Sequence, residues 1–181
     1  MAMPSNGEKR NKMLLDTEGD PLEAELNYFI MVVGEGNGRG LALTKTCPQY
    51  VVQDKHGDGL PMLFHPICNQ NTSVFLGNTA VHVAISGPSI CGNDTGGDGW
   101  SMERVSKINQ TLVKISSGEG QSFRISKIGD NEYGLFWCPA VICHPGIGLG
   151  PSCIGLGIHN GFGVVAGGLQ PRRVQFKKFT S

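Results

Sequence analysis

Short runs of apolar residues, each bounded by turn-forming residues, recur along most of the chain. Such runs, with apolar positions roughly alternating, are typical of β-strands, and no stretch of 11 or more residues free of Gly and Pro has helical apolar spacing. The predicted strands are NYFIMVV, LALTK, YVVQ, PMLFH, TSVFL, VHVAIS, WSMERV, LVKIS, SFRISKI, YGLFWC, IGLGI, GVVAGG and RRVQFKKF. About a dozen short strands in one domain indicate an all-β sandwich, barrel or β-trefoil with less than about 10% helix.

Two segments show the pattern most clearly. In FRISKIGDNEYGLFW, the turn residues GDNE separate two runs of roughly alternating apolarity, which predicts a β-hairpin. In RRVQFKKF, Val174 and Phe176 alternate with Gln175 and Lys177. We therefore expect the lysines of this last strand to lie on its solvated face.

Length and charge narrow the classes of protein that need to be considered. The 181 residues are enough for one sizeable core, and 15 basic residues balance 15 acidic ones. Because nucleic-acid binders normally carry a basic excess, that class is disfavoured. The sequence contains no window of 18 apolar residues, so no membrane-spanning helix is predicted. Residues 1–13 lack the apolar segment of a signal peptide and are predicted to be a disordered or artificial leader before a domain at 14–181.

Cysteines and glycosylation triplets favour an oxidising compartment. The chain has six cysteines, and N-x-[ST] triplets begin at Asn71, Asn93 and Asn109. Each triplet alone is weak evidence for a glycan, but together with an even number of cysteines they favour a secreted or vacuolar protein whose signal peptide has been removed.

The segment CPAVICHPGIGLGPSCIGLGI, residues 138–158, concentrates the candidate chemistry. A phosphate-binding loop would place its glycines between a strand and a helix, usually with a Lys-Ser/Thr pair. Here Gly146, Gly148 and Gly150 are followed by Pro151, and no helix is predicted after them. A nucleotide site is therefore disfavoured.

A metal site or a cysteine nucleophile fits the same segment poorly. The possible ligands Cys138, Cys143, His144, Cys153 and His159 match no common zinc spacing, so we expect no metal and no cofactor. Cys143 and His144 are sequence neighbours, which point to opposite faces of a strand, and no acid that could orient the histidine lies nearby. A disulfide that closes an exposed loop of about 16 residues between Cys138 and Cys153 is the favoured interpretation.

Several blocks together resemble the plant Kunitz-type (soybean trypsin inhibitor) family of protease inhibitors. The blocks are LDTEGDPLEAELNYFIMV, GRGLALTKTCPQYVVQ, FRISKIGDNEYGLFWCP, CIGLGI and RRVQFKKF, in the order that the family has them. The resemblance covers nearly everything from Leu14 to Ser181. It implies a single-domain β-trefoil that binds a target protease, has no catalytic residues and no cofactor, and is a monomer.

The resemblance also implies a disulfide pattern. Six cysteines allow fifteen connectivities, so spacing alone does not assign them. The family pattern implies Cys47–Cys91 and Cys138–Cys153. Cys68 and Cys143 are then left over, and we predict that they form a third disulfide.

In this family the loop after the fourth strand enters the protease. The resemblance implies that the inhibitory loop here comprises Pro66, Ile67, Cys68, Asn69 and Gln70, with Cys68 near the specificity position. Nothing between Leu60 and Asn78 is Lys or Arg, so we expect trypsin to be inhibited weakly at best.

Two further departures from the family concern the same loop. Ala24 stands where the family has an asparagine that braces the loop, and Asn27 follows three residues later. A glycan on Asn71 would obstruct docking.

The sequence leaves two main functions open. One is inhibition of a protease, most simply a serine protease, although inhibition of a cysteine or aspartic protease through another loop such as 138–153 is an alternative. The other is a non-inhibitory binding protein of the carbohydrate-binding, storage or taste-modifying kind on the same scaffold. An enzyme is disfavoured. We expect His65, His82, His159, Trp100 and Trp137 to have structural roles.

Overall fold

The computed structural model describes residues 13–34, 39–68, 73–87, 90–91, 99–116, 118, 120–141, 143, 153–165 and 170–180. The strands are β1 (Asn27–Val32), β2 (Arg39–Leu43), β3 (Val51–Gln53), β4 (Met62–Pro66), β5 (Ala80–Ile85), β6 (Trp100–Val105), β7 (Gln110–Ile115), β8 (Phe123–Gly129), β9 (Glu132–Trp137), β10 (Ile154–His159), β11 (Phe162–Val165) and β12 (Val174–Lys178). The only helix in these ranges is the 3-10 turn Ser106–Ile108, and none is long and apolar enough to cross a membrane.

Six of the strands close into a barrel. In the order β1, β4, β5, β8, β9, β12, each strand pairs antiparallel with the next, and β12 pairs with β1 to close the ring. The closing pair joins the first strand to the last, with Tyr28 opposite Lys178 and Val32 opposite Val174. Each barrel strand therefore has a neighbour on both sides, and the ring has no open edge.

The other six strands are three hairpins, β2–β3, β6–β7 and β10–β11, that cover one end of the barrel. β11 joins them by pairing with both β3 and β7. The chain thus repeats one four-strand unit three times, with outer strands in the barrel and inner strands in a hairpin. This arrangement is a β-trefoil, so the predicted fold class is confirmed.

A cluster of aromatic rings fills the barrel because alternate strand residues point inward. Phe64, Phe75, Tyr133 and Phe176 have at most 1% of their surface exposed. Phe176 lies with its ring centroid 5.4 Å from that of Phe64 and 5.5 Å from that of Tyr133. The alternation predicted for the last strand is confirmed, since Val174 and Phe176 are buried whereas Lys177 and Lys178 are exposed.

The segment before β1 is fixed to the barrel by two buried tyrosines. The N–H of Leu15 donates to the Tyr133 hydroxyl, and the N–H of Glu23 donates to the Tyr28 hydroxyl, both at 2.9 Å. Burial raises the pKa of both phenols above the ordinary tyrosine value. Both phenols are therefore neutral at physiological pH, and their hydroxyl oxygens accept these hydrogen bonds.

Most predicted strands are present, and one is wrong. The hairpin predicted in FRISKIGDNEYGLFW is β8–β9, and Asn131 in its turn has a left-handed φ of 52°. The predicted strand TSVFL is instead a pair of isolated bridges, from Val74 to Glu23 and from Leu76 to Met13. Its partners are thus in the N-terminal segment, and Met13 takes part although the prediction placed it in the leader. Residues 1–12 lie outside the described ranges.

Replacing Phe176 with Ala should lower the free energy of unfolding by about 3–5 kcal/mol, because it removes a buried ring from the centre of the aromatic cluster. Phe179→Ala is the matched control, since Phe179 lies three residues later with 38% of its surface exposed. It should cost no more than about 1 kcal/mol. Equal effects of the two substitutions in denaturant unfolding would contradict this account of the core.

Candidate functional site

Four strand ends lie side by side at one end of the barrel. Pro66, which ends β4, is opposite Val81 in β5, Val81 is opposite Phe123 in β8, and Phe123 is opposite Trp137 in β9. The β4–β5 connection, residues 67–79, and the β9–β10 connection, residues 138–153, therefore start from strand ends in the same row, with β5 and β8 between them. This placement brings together two loops that are far apart in the sequence.

The β4–β5 loop is fixed at its stem. The N–H of Ile67 donates to the carbonyl of Ala80 at 3.0 Å, which continues the β4–β5 ladder by one residue pair beyond Pro66. Pro66 itself has a fixed φ, and it has no N–H that would need a hydrogen-bond acceptor. The chain thus leaves the sheet in a defined direction just before Cys68.

The returning part of the loop is fixed by its backbone to the N-terminal segment. The N–H of Ala24 donates to the carbonyl of Ser73 at 2.9 Å. Phe75 donates to the carbonyl of Leu22 at 3.2 Å and accepts from the N–H of Leu14 at 2.9 Å. The Phe75 ring is fully buried, so it anchors the loop in the core.

A disulfide joins the two loops. Cys68 is bonded to Cys143, 75 residues away in the sequence. Cys68 is partly buried and Cys143 is exposed, so the bond lies at the surface of this end of the barrel. The β4–β5 loop is therefore held at three points: at its stem, at the Cys68–Cys143 disulfide and at its returning end.

The other cysteines form Cys47–Cys91 and Cys138–Cys153, so the three pairs are the ones predicted. A disulfide sulfur cannot serve as a thiolate ligand, and this removes the cysteines from the zinc set considered above. Within the described ranges, no group of three or more His, Cys, Asp or Glu side chains is placed to hold a metal ion.

The structure describes part of the predicted inhibitory loop. Pro66 ends β4, Ile67 continues its ladder and Cys68 carries the crosslink. Asn69, Gln70 and the glycosylation candidates Asn71 and Asn93 lie outside the described residues, as do all of residues 144–152, which include His144. The third candidate, Asn109, follows the 3-10 turn with a φ of 54° and is exposed.

Ala24, which replaces the expected bracing asparagine, contacts the loop through its backbone. Its N–H holds the Ser73 carbonyl, while its side chain packs partly against the core. Asn27 lies in β1 opposite Leu63, and its buried Oδ1 atom accepts no hydrogen bond from the described residues. No contact in the described residues shows Asn27 bracing the loop in place of the missing side chain.

The anchors Ser73 and Phe75 are residues that the sequence analysis missed as parts of the site. The signal was present as the apolar run TSVFL, which we assigned to a strand of its own. A short run that pairs with a distant segment through single bridges has the same local pattern as a strand.

Comparison with known proteins agrees with this arrangement. The family model described as "Trypsin and protease inhibitor" (Kunitz_legume) matches residues 14–178. Trypsin inhibitor BvTI of Bauhinia variegata is 29% identical over 163 residues, which cover 80% of this chain and 81% of that inhibitor.

Solved structures show the same fold. MP-4 from Mucuna pruriens superposes with a TM-score of 0.73 at 26% identity, covering 93% of this chain and 99% of that one. The complex of porcine pancreatic trypsin with soybean trypsin inhibitor gives a TM-score of 0.72 at 22% identity, covering 93% and 99%. The chain belongs to the plant Kunitz family of trypsin and protease inhibitors, whose members inhibit proteases and are not enzymes.

Proposed function

We propose that this protein inhibits an endopeptidase, most simply a serine protease, by inserting the loop that begins at residues 66–70 into the active site. The observation that carries the proposal is the fixing of this loop by the β4–β5 ladder, the Cys68–Cys143 bond and the Ala24–Ser73 hydrogen bond. A loop already held in shape loses little conformational entropy on docking, so more of its contact energy appears as affinity.

The Cys68 side chain does not enter the protease pocket in this proposal. Its sulfur is bonded to Cys143, so it cannot also fill a specificity pocket, although sequence comparison placed it near that position. The neighbours Ile67 and Asn69 are the candidates for the pocket contact. Both are uncharged, so neither can pair with a carboxylate that is buried in a protease pocket. Leaving that carboxylate unpaired would be energetically unfavourable.

The proposal also states which chemistry and which partners the inhibition does not involve. It acts by binding, with no catalytic residues and no cofactor of its own, and its partner is a protease, with no role for nucleic acid or a membrane. We propose that it acts as a monomer, because a single β4–β5 loop suffices for one-to-one docking.

Deleting the crosslink with the double substitution Cys68→Ser and Cys143→Ser should weaken inhibition of the target protease by roughly tenfold or more, because the loop must then be ordered on binding. The matched control is Cys47→Ser with Cys91→Ser, since Cys91 follows the opposite end of β5. Inhibition constants would first be measured against serine, cysteine and aspartic proteases to identify the target.

Two results would contradict the proposal. Equal loss of inhibition in the two double variants would show that the effect comes from general stability. Absence of inhibition across all three protease classes would favour the non-inhibitory binding protein.

Trypsin should be inhibited weakly by the unaltered protein. A single Arg introduced beside Cys68, as Ile67→Arg or Asn69→Arg, should improve trypsin inhibition by about 10- to 100-fold in at least one variant, since it supplies a charged hydrogen-bond partner for the pocket carboxylate. Both variants keep the disulfide. Leu60→Arg is the control, because Leu60 is an apolar residue with 42% of its surface exposed and lies before β4, away from the loop.

Strong trypsin inhibition by the unaltered protein would contradict the specificity part of the proposal. An equal gain in Leu60→Arg would show that added charge acts non-specifically. No gain in either loop variant would mean that the loop does not dock as proposed.

We further propose that the protein is secreted or vacuolar. Its three disulfides persist most readily in oxidising compartments. Asn109 supports the proposal, because it sits at an exposed turn. Arg104 donates to its Oδ1 atom, and the Nδ2 atom, which a glycan would modify, has no partner among the described residues.

Expression through the secretory pathway of a plant cell should place a glycan on Asn109. Thr111→Ala should abolish the modification, whereas Thr111→Ser keeps the triplet and should retain it. Mass spectrometry of the peptide that contains Asn109 distinguishes these outcomes. An unmodified Asn109 in the secreted, unaltered protein would contradict the assignment.

A further inference from the structure

Three exposed apolar residues follow one another in the β9–β10 connection. Pro139, Ala140 and Val141 come directly after Cys138, and all three are exposed. Val141 has 47% of its surface exposed. Adjoining apolar residues at a surface are typical of contact sites, whereas single exposed ones need no explanation. We call these three residues the 139–141 segment.

The disulfide between the two loops fixes this segment beside the loop that begins at residues 66–70. The Cα atoms of Cys68 and Cys143 are 5.3 Å apart. Val141 precedes Cys143 by two residues, and two residues of extended chain span at most about 7 Å. The Cα atom of Val141 therefore lies within about 12 Å of that of Cys68.

A protease that engages the loop must contact more than the loop itself. Stable protein–protein interfaces bury about 800 Å² on each partner, contributed by roughly 20–30 residues. The five residues 66–70 can supply only part of this area. A round patch of that area has a radius of about 16 Å, so a contact surface centred on Cys68 reaches Val141.

The segment is also fixed at its other end. Cys138 is fully buried, its N–H donates to the carbonyl of Ser122 at 3.1 Å, and its sulfur is bonded to Cys153. One disulfide thus precedes the segment and another follows it. Because the chain between them is short, the segment loses little backbone freedom when a partner binds.

We propose that the 139–141 segment is a second contact surface for the same protease and that it selects among proteases with similar active sites. This inference rests on the proposed inhibitory function. The residues beside Cys68 contact the specificity pocket, whereas the segment contacts the protease surface next to the cleft. Since the segment is apolar and uncharged, it favours a protease whose surface there is apolar, because burying charged groups against it would be unfavourable.

The test measures inhibition of the protease that the unaltered protein inhibits most strongly. Val141→Asp should weaken this inhibition by about tenfold or more, because it places a charge in an apolar contact. Val141→Ala, which shortens the side chain without adding charge, should give a smaller loss in the same direction.

Ile108→Asp is the matched control. Ile108 is also an apolar residue with 50% of its surface exposed, but it lies in the 3-10 turn between β6 and β7. This variant should inhibit as the unaltered protein does. Val141→Asp and Ile108→Asp should both keep a Tm close to that of the unaltered protein, since both side chains are exposed.

A double-mutant cycle tests whether the crosslink places the segment. When Val141→Asp is combined with Cys68→Ser and Cys143→Ser, its effect on inhibition should fall to about twofold or less, because the segment is no longer held beside the loop. An undiminished effect without the crosslink would overturn this placement.

The remaining outcomes separate the inference from the function on which it rests. Inhibition that is unchanged in both Val141 variants, or weakened equally in Ile108→Asp, would overturn the inference and leave the inhibitory function intact. Absence of inhibition by the unaltered protein would contradict the proposed function, and the inference with it.

Discussion

Closure of the six-strand ring is the constraint on which the rest of the structure depends. The ring closes only when β1, near the start of the chain, pairs with β12 at its end. Once it is closed, every barrel strand is held from two sides, and the aromatic cluster of Phe64, Phe75, Tyr133 and Phe176 is enclosed. The positions of the connecting loops then follow from the strand register, because each loop must start and end at fixed points on a rigid rim.

The sequence predicted the local elements well and the long-range pairings poorly. Alternating apolar residues located the β8–β9 hairpin and the buried face of β12, because a strand's own pattern records which side faces the core. Nothing local in TSVFL shows that Val74 and Leu76 bridge to Glu23 and Met13. The choice of a trefoil over a sandwich and the pairing of the cysteines likewise came from resemblance to a family, since periodicity does not encode which strands become neighbours.

The candidate site could be predicted only in part, because its supports also depend on contacts between distant parts of the sequence. A loop position after the fourth strand could be inferred from motif order, but its supports could not, because they come from residues 14–24, 80 and 143. Ala24 and Ser73 show the limit well. Forty-nine positions separate them in the sequence, yet the N–H of Ala24 donates to the carbonyl of Ser73. Such contacts become visible only when the packing of the N-terminal segment is known.

The two long-range disulfides have a consequence for a chain that has been cut. A break between Cys68 and Ser73 would divide the protein into a piece with Cys47 and Cys68 and a piece with Cys91 and Cys143. Both Cys47–Cys91 and Cys68–Cys143 cross that break, so the pieces would remain covalently joined at two places. Pairing of β4 with β5 and of β1 with β12 also crosses it. The new chain ends would therefore stay at a high effective concentration relative to each other, and the nicked protein would remain one molecule whose peptide bond can be re-formed.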